Sequence, residues 1–236
     1  MSPTSALTVD ALLFDKDGTL FDFAATWEAW AKGLLNQLSN GDEARAQYLG
    51  DLIGFDYTSS RFDPNSIAVA GTPDDIAVAL HAAFPEKTPL DILKDINDQA
   101  SAAAMIEAVP LAPLLQRFRD AGLKLGVATN DAEAPARAHL QTARISSAFD
   151  FVVGSDSGYG AKPATGQLLA FCDQVGVAPE RTAMVGDSTH DLEAGRSAGM
   201  RTIAVLTGLA EAQNLAPFAD VVFPDIGHIP DWIGLT

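Results

Sequence analysis

Two carboxylates separated by one residue follow a short apolar run near the start of the chain. The run Ala11–Phe14 is typical of a buried strand, and Asp15 and Asp17 come directly after it, before Gly18. Side chains alternate along an extended chain, so two acids two positions apart face the same way. Buried carboxylates are costly without a positive partner, and a divalent cation, which prefers oxygen ligands, is one such partner. An Asp-Gly turn is an equally good interpretation of this stretch alone.

Further polar residues follow three later apolar strands. In chain order they are Thr129, Asn130, Lys162, Asp187, Ser188 and Asp191. Each has a purely structural alternative, because turns and helix caps use the same residue types and most lysines are solvated surface residues. Sheets of parallel strands bind ligands at the carboxyl ends of their strands. The joint occurrence of these residues at predicted strand ends therefore favours a phosphate site.

The elements that would position these residues fall into two patterns. From residue 110 onward apolar strands alternate with helices, which predicts a Rossmann-like α/β fold, a parallel sheet with helices on both faces. Residues 22–106 lack that alternation and look helical apart from an irregular loop at residues 54–71. The predicted helices there are Trp27–Leu38, Glu43–Ile53, one that begins at Thr72-Pro73, and Pro89–Ile106.

The composition limits the kinds of partner. Of the 236 residues 47% are hydrophobic and 19% charged, which describes a soluble globular protein rather than a disordered one. The formal net charge of −16 predicts no binding to nucleic acid and none to anionic membranes. If the ligand is an anion, positive charge must come from the site itself.

The single cysteine, Cys172, excludes an intramolecular disulfide and suits a reducing cytosol. It lies in an apolar helical stretch, which favours a buried core residue. Residues 1–5 lack the basic and apolar regions of a signal peptide, and no apolar run is long enough to span a bilayer. We therefore expect a cytoplasmic protein.

Together these residues resemble the motifs of the haloacid dehalogenase (HAD) superfamily, specifically its phosphatases of the phosphoglycolate phosphatase type. The four motifs are Asp15-Lys16-Asp17-Gly18-Thr19, Thr129-Asn130, Lys162-Pro163 and Gly186-Asp187-Ser188-Thr189-His190-Asp191. The helical insertion stands where that branch carries a cap domain. The resemblance thus implies a HAD catalytic core of residues 1–21 and 107–236, and an α-helical cap of residues 22–106.

One residue departs from the pattern. Phosphatases of this superfamily usually have an apolar residue between the two aspartates, whereas this chain has Lys16. The P-type ATPases of the superfamily also place a lysine there, so the aspartate nucleophile tolerates it. Those ATPases carry threonine at the position of Asp17, and dehalogenases also lack this aspartate. Asp17 therefore indicates a phosphoryl hydrolase or mutase.

The resemblance also implies roles. Asp15 attacks phosphorus to form an aspartyl phosphate, and Asp17 acts as general acid and then as general base. Mg²⁺ is the implied cofactor, and its implied ligands are the Asp15 side chain, the Asp17 backbone carbonyl and Asp187, with Asp191 and Ser188 in support. The phosphate is implied to contact Thr129, Asn130 and Lys162, and Lys162 is also implied to be catalytic.

These motifs leave the substrate open. We expect a Mg²⁺-dependent phosphatase that acts on a small phosphorylated metabolite, phosphoglycolate-like or a sugar phosphate. The alternatives are a phosphosugar mutase of the same superfamily and a receiver-like phospho-acceptor module. In the cap loop, Arg61 suits a carboxylate or a second phosphate. A surface arginine is as good an interpretation, and His190 has no assigned role. The sequence does not predict the oligomeric state.

Overall fold

The computed structural model describes residues 9–63 and 65–235. Residues 1–8 of the predicted core, including the stretch from which we predicted the absence of a signal peptide, lie outside this part. The strands along the described chain are β1 (Ala11–Phe14), β2 (Phe55–Asp56), β3 (Arg61–Phe62), β4 (Lys124–Ala128), β5 (Phe151–Val153), β6 (Thr182–Gly186), β7 (Arg201–Val205) and β8 (Val221–Phe223).

Helices connect and cover these strands. Along the described chain they are α1 (Phe23–Leu38), α2 (Glu43–Ile53), α3 (Ile67–Ala70), α4 (Pro73–His81), α5 (Pro89–Ser101), α6 (Leu111–Asp120), α7 (Glu133–Thr142), α8 (Gly166–Val175), α9 (Thr189–Ser197), α10 (Ala212–Leu215) and α11 (Ile229–Trp232). Short 3₁₀ turns at Ser146–Ala148, Pro179–Arg181, Ala216–Phe218 and Ile226–His228 complete the connections.

A parallel sheet forms the centre of the core. In the described residues it has six strands in the order β5-β4-β1-β6-β7-β8. Strand β1 lies between β4 and β6, with Phe14 opposite Val127 and Val185. All four residues of β1 are fully buried, because helices cover both faces of the sheet. The predicted α/β fold is confirmed.

Residues 23–101 form a separate helical layer with its own apolar cluster. Leu34, Leu49, Leu80 and Ile92 belong to this cluster, one from each of α1, α2, α4 and α5. The predicted start of α4 is confirmed by a capping box, in which Asp75 accepts hydrogen bonds from the backbone N–H and the hydroxyl of Thr72. The inserted helical cap expected from the sequence is therefore present.

Two details of the cap segment (residues 22–106) differ from the sequence prediction. The loop predicted as irregular contains the hairpin β2–β3 and the short helix α3. The Asp56 carboxylate accepts hydrogen bonds from the backbone N–H groups of Thr58 and Ser59 and so closes the hairpin turn. Helix α5 ends at Ser101 rather than at residue 106, and residues 102–106 lead back to the core.

The two ends of the cap segment contact each other where they join the core. The backbone N–H of Asp22 donates to the carbonyl of Ile106 at 2.8 Å, and Phe21 forms a bridge with Glu107. The chain therefore leaves the core and comes back at one place. These contacts support our proposal that the cap segment is a unit distinct from the core, with boundaries near residues 21/22 and 106/107.

Two predictions from composition can be compared with the structure. Cys172 is buried, and burial raises the pKa of its thiol. This agrees with a core residue rather than a reactive thiol. Within residues 9–63 and 65–235, no helix combines the length and the apolarity needed to cross a lipid bilayer.

Candidate active site

The sequence-predicted residues of the core converge on one pocket. Asp15, Thr129 and Asp187 follow the carboxyl ends of β1, β4 and β6, which are neighbours in the sheet. The pocket lies between these strand ends and the cap segment. Its lining includes Asp15, Asp17, Thr129, Asn130, Lys162, Asp187, Ser188, His190 and Asp191.

Lys162 lies among the carboxylates that line the pocket. Its ammonium group donates to Asp15 Oδ1 and to Asp191 Oδ1, both at 2.6 Å, and to the carbonyl of Ala128 at 2.7 Å. Burial alone would lower the pKa of Lys162, but Asp15 and Asp191 raise it above its ordinary value. Lys162 is therefore a buried cation and not a solvated surface lysine. We call Lys162, Asp15 and Asp191 the Lys162 cluster.

Asp191 has two partners, one on each oxygen. Its Oδ1 accepts from Lys162, and its Oδ2 accepts from the hydroxyl and the backbone N–H of Ser188 at 2.7 and 3.1 Å. Ser188 and Asp191 form the capping box of α9. The helix-cap interpretation of these residues is thus correct, and it coexists with their place in the pocket.

Asp187 is buried beside two glycines. A Cβ atom added at Gly18 would lie 2.3 Å from Asp187 Oδ2, and one at Gly208 would lie 1.7 Å from it. Only residues without a side chain leave room for this carboxylate. Burial, with the nearby charges of Asp15 and Asp191, raises the pKa of Asp187 well above its ordinary value. Burial also raises the pKa of Asp15, to about 7, although Lys162 opposes the shift.

The carboxylates form a group that suits a cation. One oxygen each of Asp15, Asp187 and Asp191 lies within 4.8 Å of the others. Three acids against one lysine leave an excess of negative charge, which adds to burial in raising the pKa of Asp15 and of Asp187. Hard divalent cations take oxygen ligands, so this donor set fits Mg²⁺.

Thr129 and Asn130 contact the backbone around the pocket. Asn130 Oδ1 accepts from the backbone N–H of Lys162 at 2.8 Å, and its Nδ2 donates to the Lys162 carbonyl at 3.0 Å. Thr129 Oγ1 accepts from the backbone N–H of Asp131 at 3.1 Å. Asn130 thereby fixes the loop that carries Lys162. Contacts of either residue with a phosphate remain a prediction.

A second buried lysine lies behind Asp17. The ammonium group of Lys16 is 3.0 Å from Asp17 Oδ2, 2.7 Å from Asp131 Oδ2 and 2.9 Å from His139 Nδ1. It also lies 5.2 Å from the ring centroid of Trp27. Burial would lower the pKa of Lys16, but Asp131 and Asp17 raise it. We call Lys16, Asp17, Asp131, His139 and Trp27 the Lys16 cluster.

His139 connects this cluster to the cap segment. Burial and the charge of Lys16 lower the pKa of His139, so its imidazole is neutral. Because Lys16 donates to Nδ1, the proton is on Nε2, which donates to the carbonyl of Ala100 at 2.7 Å. Ala100 belongs to α5 and Trp27 to α1, so two cap helices contact the cluster.

The sequence analysis missed Asp131 and His139. Asp131 adjoins the Thr129-Asn130 motif, and a lysine between two aspartates needs a further acid if it is buried. That pair of signals could have suggested Asp131. His139 gave no signal, because a histidine on a helix of mixed composition is common and its partner Lys16 is 123 residues away.

The structure does not bring Arg61 to the pocket. Its side chain is 70% exposed and lies 3.4 Å from the Glu28 carboxylate. It is a surface arginine of the hairpin β2–β3. His190 does line the pocket, and its Nδ1 is buried without a hydrogen-bond partner among residues 9–63 and 65–235.

Known proteins share both the sequence pattern and the fold. A family model described as haloacid dehalogenase-like hydrolase matches residues 9–199. Phosphoglycolate phosphatase of Rhodospirillum rubrum is 30% identical over 228 residues, which cover 95% of this chain and 90% of the relative. A HAD phosphatase from Thermococcus onnurineus superposes with a TM-score of 0.68 at 22% identity, covering 96% of this chain and 98% of its own.

The fold neighbours extend beyond phosphatases. β-Phosphoglucomutase from Clostridium difficile has a TM-score of 0.68 at 18% identity and covers 95% of this chain and 97% of its own. At this identity the likeness concerns the fold alone. The assignment rests instead on the family model, on the 30% identical relative and on the four motifs that meet at one pocket. The chain belongs to the haloacid dehalogenase-like hydrolase family and is an enzyme of that family.

Proposed function

We propose that the protein is a Mg²⁺-dependent phosphatase that hydrolyses a small phosphate monoester through an aspartyl phosphate on Asp15. The Lys162 cluster is the observation that carries this proposal. It places a buried lysine 2.6 Å from the carboxylate of Asp15, at the end of the central strand and on the wall of a pocket. Phosphoglycolate is the first substrate to test, because the relatives are named phosphoglycolate phosphatase, and sugar phosphates are the second class to test.

The first step transfers the phosphoryl group to Asp15. A carboxylate oxygen of Asp15 forms a bond to phosphorus while the bond from phosphorus to the alcohol oxygen breaks. Lys162 orients Asp15 and supplies positive charge next to the phosphate oxygens. Thr129 lines the same pocket, and in the proposed mechanism its hydroxyl donates a hydrogen bond to a phosphate oxygen.

Asp17 is the proposed general acid and general base. It lines the pocket beside Asp15, and one of its oxygens, Oδ1, is buried with no hydrogen-bond partner in the part of the chain that the structure describes. In the proposed mechanism a protonated Asp17 donates to the leaving alcohol oxygen. It then takes a proton from the water that attacks the aspartyl phosphate, so that inorganic phosphate leaves and Asp15 is restored.

Mg²⁺ would be held by Asp15 and Asp187, with the backbone carbonyl of Asp17 as a further proposed ligand. When bound, the ion would offset the repulsion between these carboxylates and an anionic phosphate. Asp191 already uses both of its oxygens on Lys162 and Ser188. We therefore propose that Asp191, together with Ser188, supports the site through Lys162 and through the start of α9 rather than as a ligand.

The test is phosphate release from a panel of phosphorylated metabolites in the presence of Mg²⁺. We expect turnover by the wild-type protein and a fall in kcat of about four orders of magnitude or more in Asp15→Asn, since the amide is a far poorer nucleophile. Asp173→Asn, which changes an exposed acid of α8, is the matched control. Easily measured steady-state turnover by Asp15→Asn would contradict the proposal.

The same assay addresses the alternatives. A phosphosugar mutase passes the phosphoryl group between sugar hydroxyls, so it would interconvert sugar phosphates with little release of inorganic phosphate. The receiver-like module is disfavoured, because the chain belongs to a hydrolase family. The cytoplasmic location and the absence of nucleic-acid and membrane partners stay predictions from composition.

A further inference from the structure

The pocket has two unlike walls. The core contributes the carboxylates, Lys162 and other polar side chains already described. The cap segment contributes aromatic and aliphatic side chains, and its remaining lining residues are alanine, glycine and proline. The larger side chains of this cap wall are those of Phe23, Trp27, Trp30, Val69, Ile76 and Ile96.

The positive charges of the cap segment are all used elsewhere. The segment has five lysines and arginines, and none of them is among the described residues that line the pocket. Each contacts another partner, with Lys32 on Ser60, Arg45 on the Ala83 carbonyl, Arg61 on Glu28, Lys87 on Asp95 and Lys94 on Asp98. Trp27 and Trp30 offer indole N–H groups without a partner within residues 9–63 and 65–235, but these supply no full charge.

The polar wall offers little to a second anion. The three N–H donors of Lys162 contact Asp15, Asp191 and the Ala128 carbonyl. Asp17, Asp131 and Asp187 also line the pocket, and Lys162 is the one lysine or arginine among the described lining residues. A carboxylate on the carbon group of the substrate would therefore lose its water against the cap wall without gaining a lysine or arginine partner there.

We propose that the substrates are phosphate monoesters whose carbon group is uncharged and apolar, an alkyl or aryl group that packs against the cap wall. Carboxylated esters such as phosphoglycolate are poor substrates of this pocket, although a relative is named phosphoglycolate phosphatase. The inference rests on the proposed phosphatase function and refines it. Aromatic packing suits this wall, because the rings of Trp27 and Trp30 already meet edge to face with centroids 5.0 Å apart.

The first experiment compares matched esters. Benzyl phosphate and 4-carboxybenzyl phosphate have the same ring and an insulated alcohol leaving group, and they differ in one carboxylate. Propyl phosphate and phosphoglycolate form a second pair of similar length. We expect kcat/KM to be at least about tenfold higher for the uncharged member of each pair. Equal or better turnover of the carboxylated members would overturn the proposal.

The second experiment adds a charge to the cap wall. Val69 lines the pocket and is partly exposed, so a lysine at this position can reach the wall. We expect Val69→Lys to raise the 4-carboxybenzyl to benzyl ratio of kcat/KM by about tenfold, whereas the uncharged Val69→Met changes that ratio by less than about threefold. Ala68→Lys replaces Val69→Lys if the latter does not fold. An unchanged ratio in the lysine variants would contradict the assignment of this discrimination to the wall.

Different results would contradict the phosphatase function and the substrate class. If neither the four esters nor the panel of phosphorylated metabolites releases phosphate in the presence of Mg²⁺, the phosphatase function itself is wrong. If the carboxylated esters are hydrolysed well and Asp15→Asn abolishes that turnover, the function stands and only the substrate class is wrong.

Discussion

Lys162 and Lys16 are both buried, and each contacts two carboxylates, yet their surroundings differ. Lys162 lies on the pocket wall and contacts Asp15, the proposed nucleophile. Lys16 is fully buried, does not line the pocket, and contacts Asp17, the proposed acid and base. Its further partners are a neutral histidine and an indole ring that link it to the cap helices.

The difference lies in charge balance and accessibility. With Asp187 nearby, the Lys162 cluster has three acids for one cation and opens to the pocket, so it can accept a cation and a phosphate. In the Lys16 cluster two acids, one histidine and a ring surround the cation completely, so nothing further can bind to it. We interpret Lys162 as a catalytic residue and Lys16 as a positioning residue that holds Asp17.

Removal of the pocket lysine should have the largest effect. We expect Lys162→Ala to lower kcat/KM by about 100-fold or more, because it removes a preorganised charge beside the transferring phosphoryl group. Lys124→Ala, at an exposed position of β4, is the control and should behave like wild type. A change of only a few-fold in Lys162→Ala would remove Lys162 from the proposed chemistry.

Removal of the second lysine should have a smaller and more selective effect. We expect Lys16→Met, which keeps much of the length without the charge, to lower kcat/KM for an alkyl phosphate by about 10- to 100-fold, since Asp17 loses its orientation. The loss should be smaller for 4-nitrophenyl phosphate, whose leaving group needs little protonation. Circular dichroism checks the fold of the variant.

The dependence on leaving group separates positioning from a structural role. If Lys16 only stabilised the fold, Lys16→Met would lower turnover of both esters by the same factor and lower the melting temperature. That outcome would make the two lysines differ in location alone. Lys16→Arg keeps the positive charge. If its ratio of kcat/KM for the two esters stays close to that of the wild-type protein, the positioning role is supported.

Charge balance also predicts where a metal ion acts on stability. We expect Mg²⁺ to raise the melting temperature by about 5 °C at roughly 100 times its dissociation constant. At one fixed Mg²⁺ concentration the shift should be greater at pH 8 than at pH 5, because a protonated Asp15 is a poorer ligand. Burial raises the pKa of Asp15 from 3.8 to about 7. The contribution of Asp15 protonation to the stability of the ion-free protein is therefore fully present below pH 3.8 and is lost as the pH rises through 7.

Two matched variants locate this effect. Asp187→Asn should remove most of the Mg²⁺-induced shift, because it takes away a carboxylate of the group beside Lys162. Asp131→Asn, in the Lys16 cluster, should lower the starting stability and leave the shift in place. Equal loss of the shift in both variants would mean that the clusters do not differ in the way proposed. Removal of the ion with a chelator should also abolish activity reversibly.

The smallest effect is expected at the exposed arginine. Arg61 pairs with Glu28 at the surface, and exposed pairs contribute about 0–1 kcal/mol to stability. We expect Arg61→Ala to change kcat/KM by less than about twofold for carboxylated and uncharged esters alike. A selective loss on the carboxylated ester would mean that Arg61 reaches the substrate when the cap moves, and it would weaken the contrast between buried and exposed cations.

The sequence by itself determined the fold class and most of the pocket's polar wall. Apolar strands followed by Asp15, Thr129 and Asp187 predicted a parallel sheet with these residues at one edge, because parallel strands share a carboxyl end. The cap was predicted as helical, and α2 has the predicted bounds. The hairpin β2–β3 was missed because two-residue strands leave no periodic pattern.

Only the tertiary structure decided the environments of the two lysines and of Arg61. Lys16 and His139 are 123 residues apart. Helix α5 must pack on α7, and Trp27 of α1 must meet the His139 ring, before Trp27 and His139 can enclose Lys16. The apolar cap wall likewise takes its residues from separate helices. Local sequence patterns report which face of a helix is apolar, but not which other surface it will meet. The burial of Lys16 and Lys162, the charge balance around them and the two-sided pocket depend on how the cap helices pack on the core.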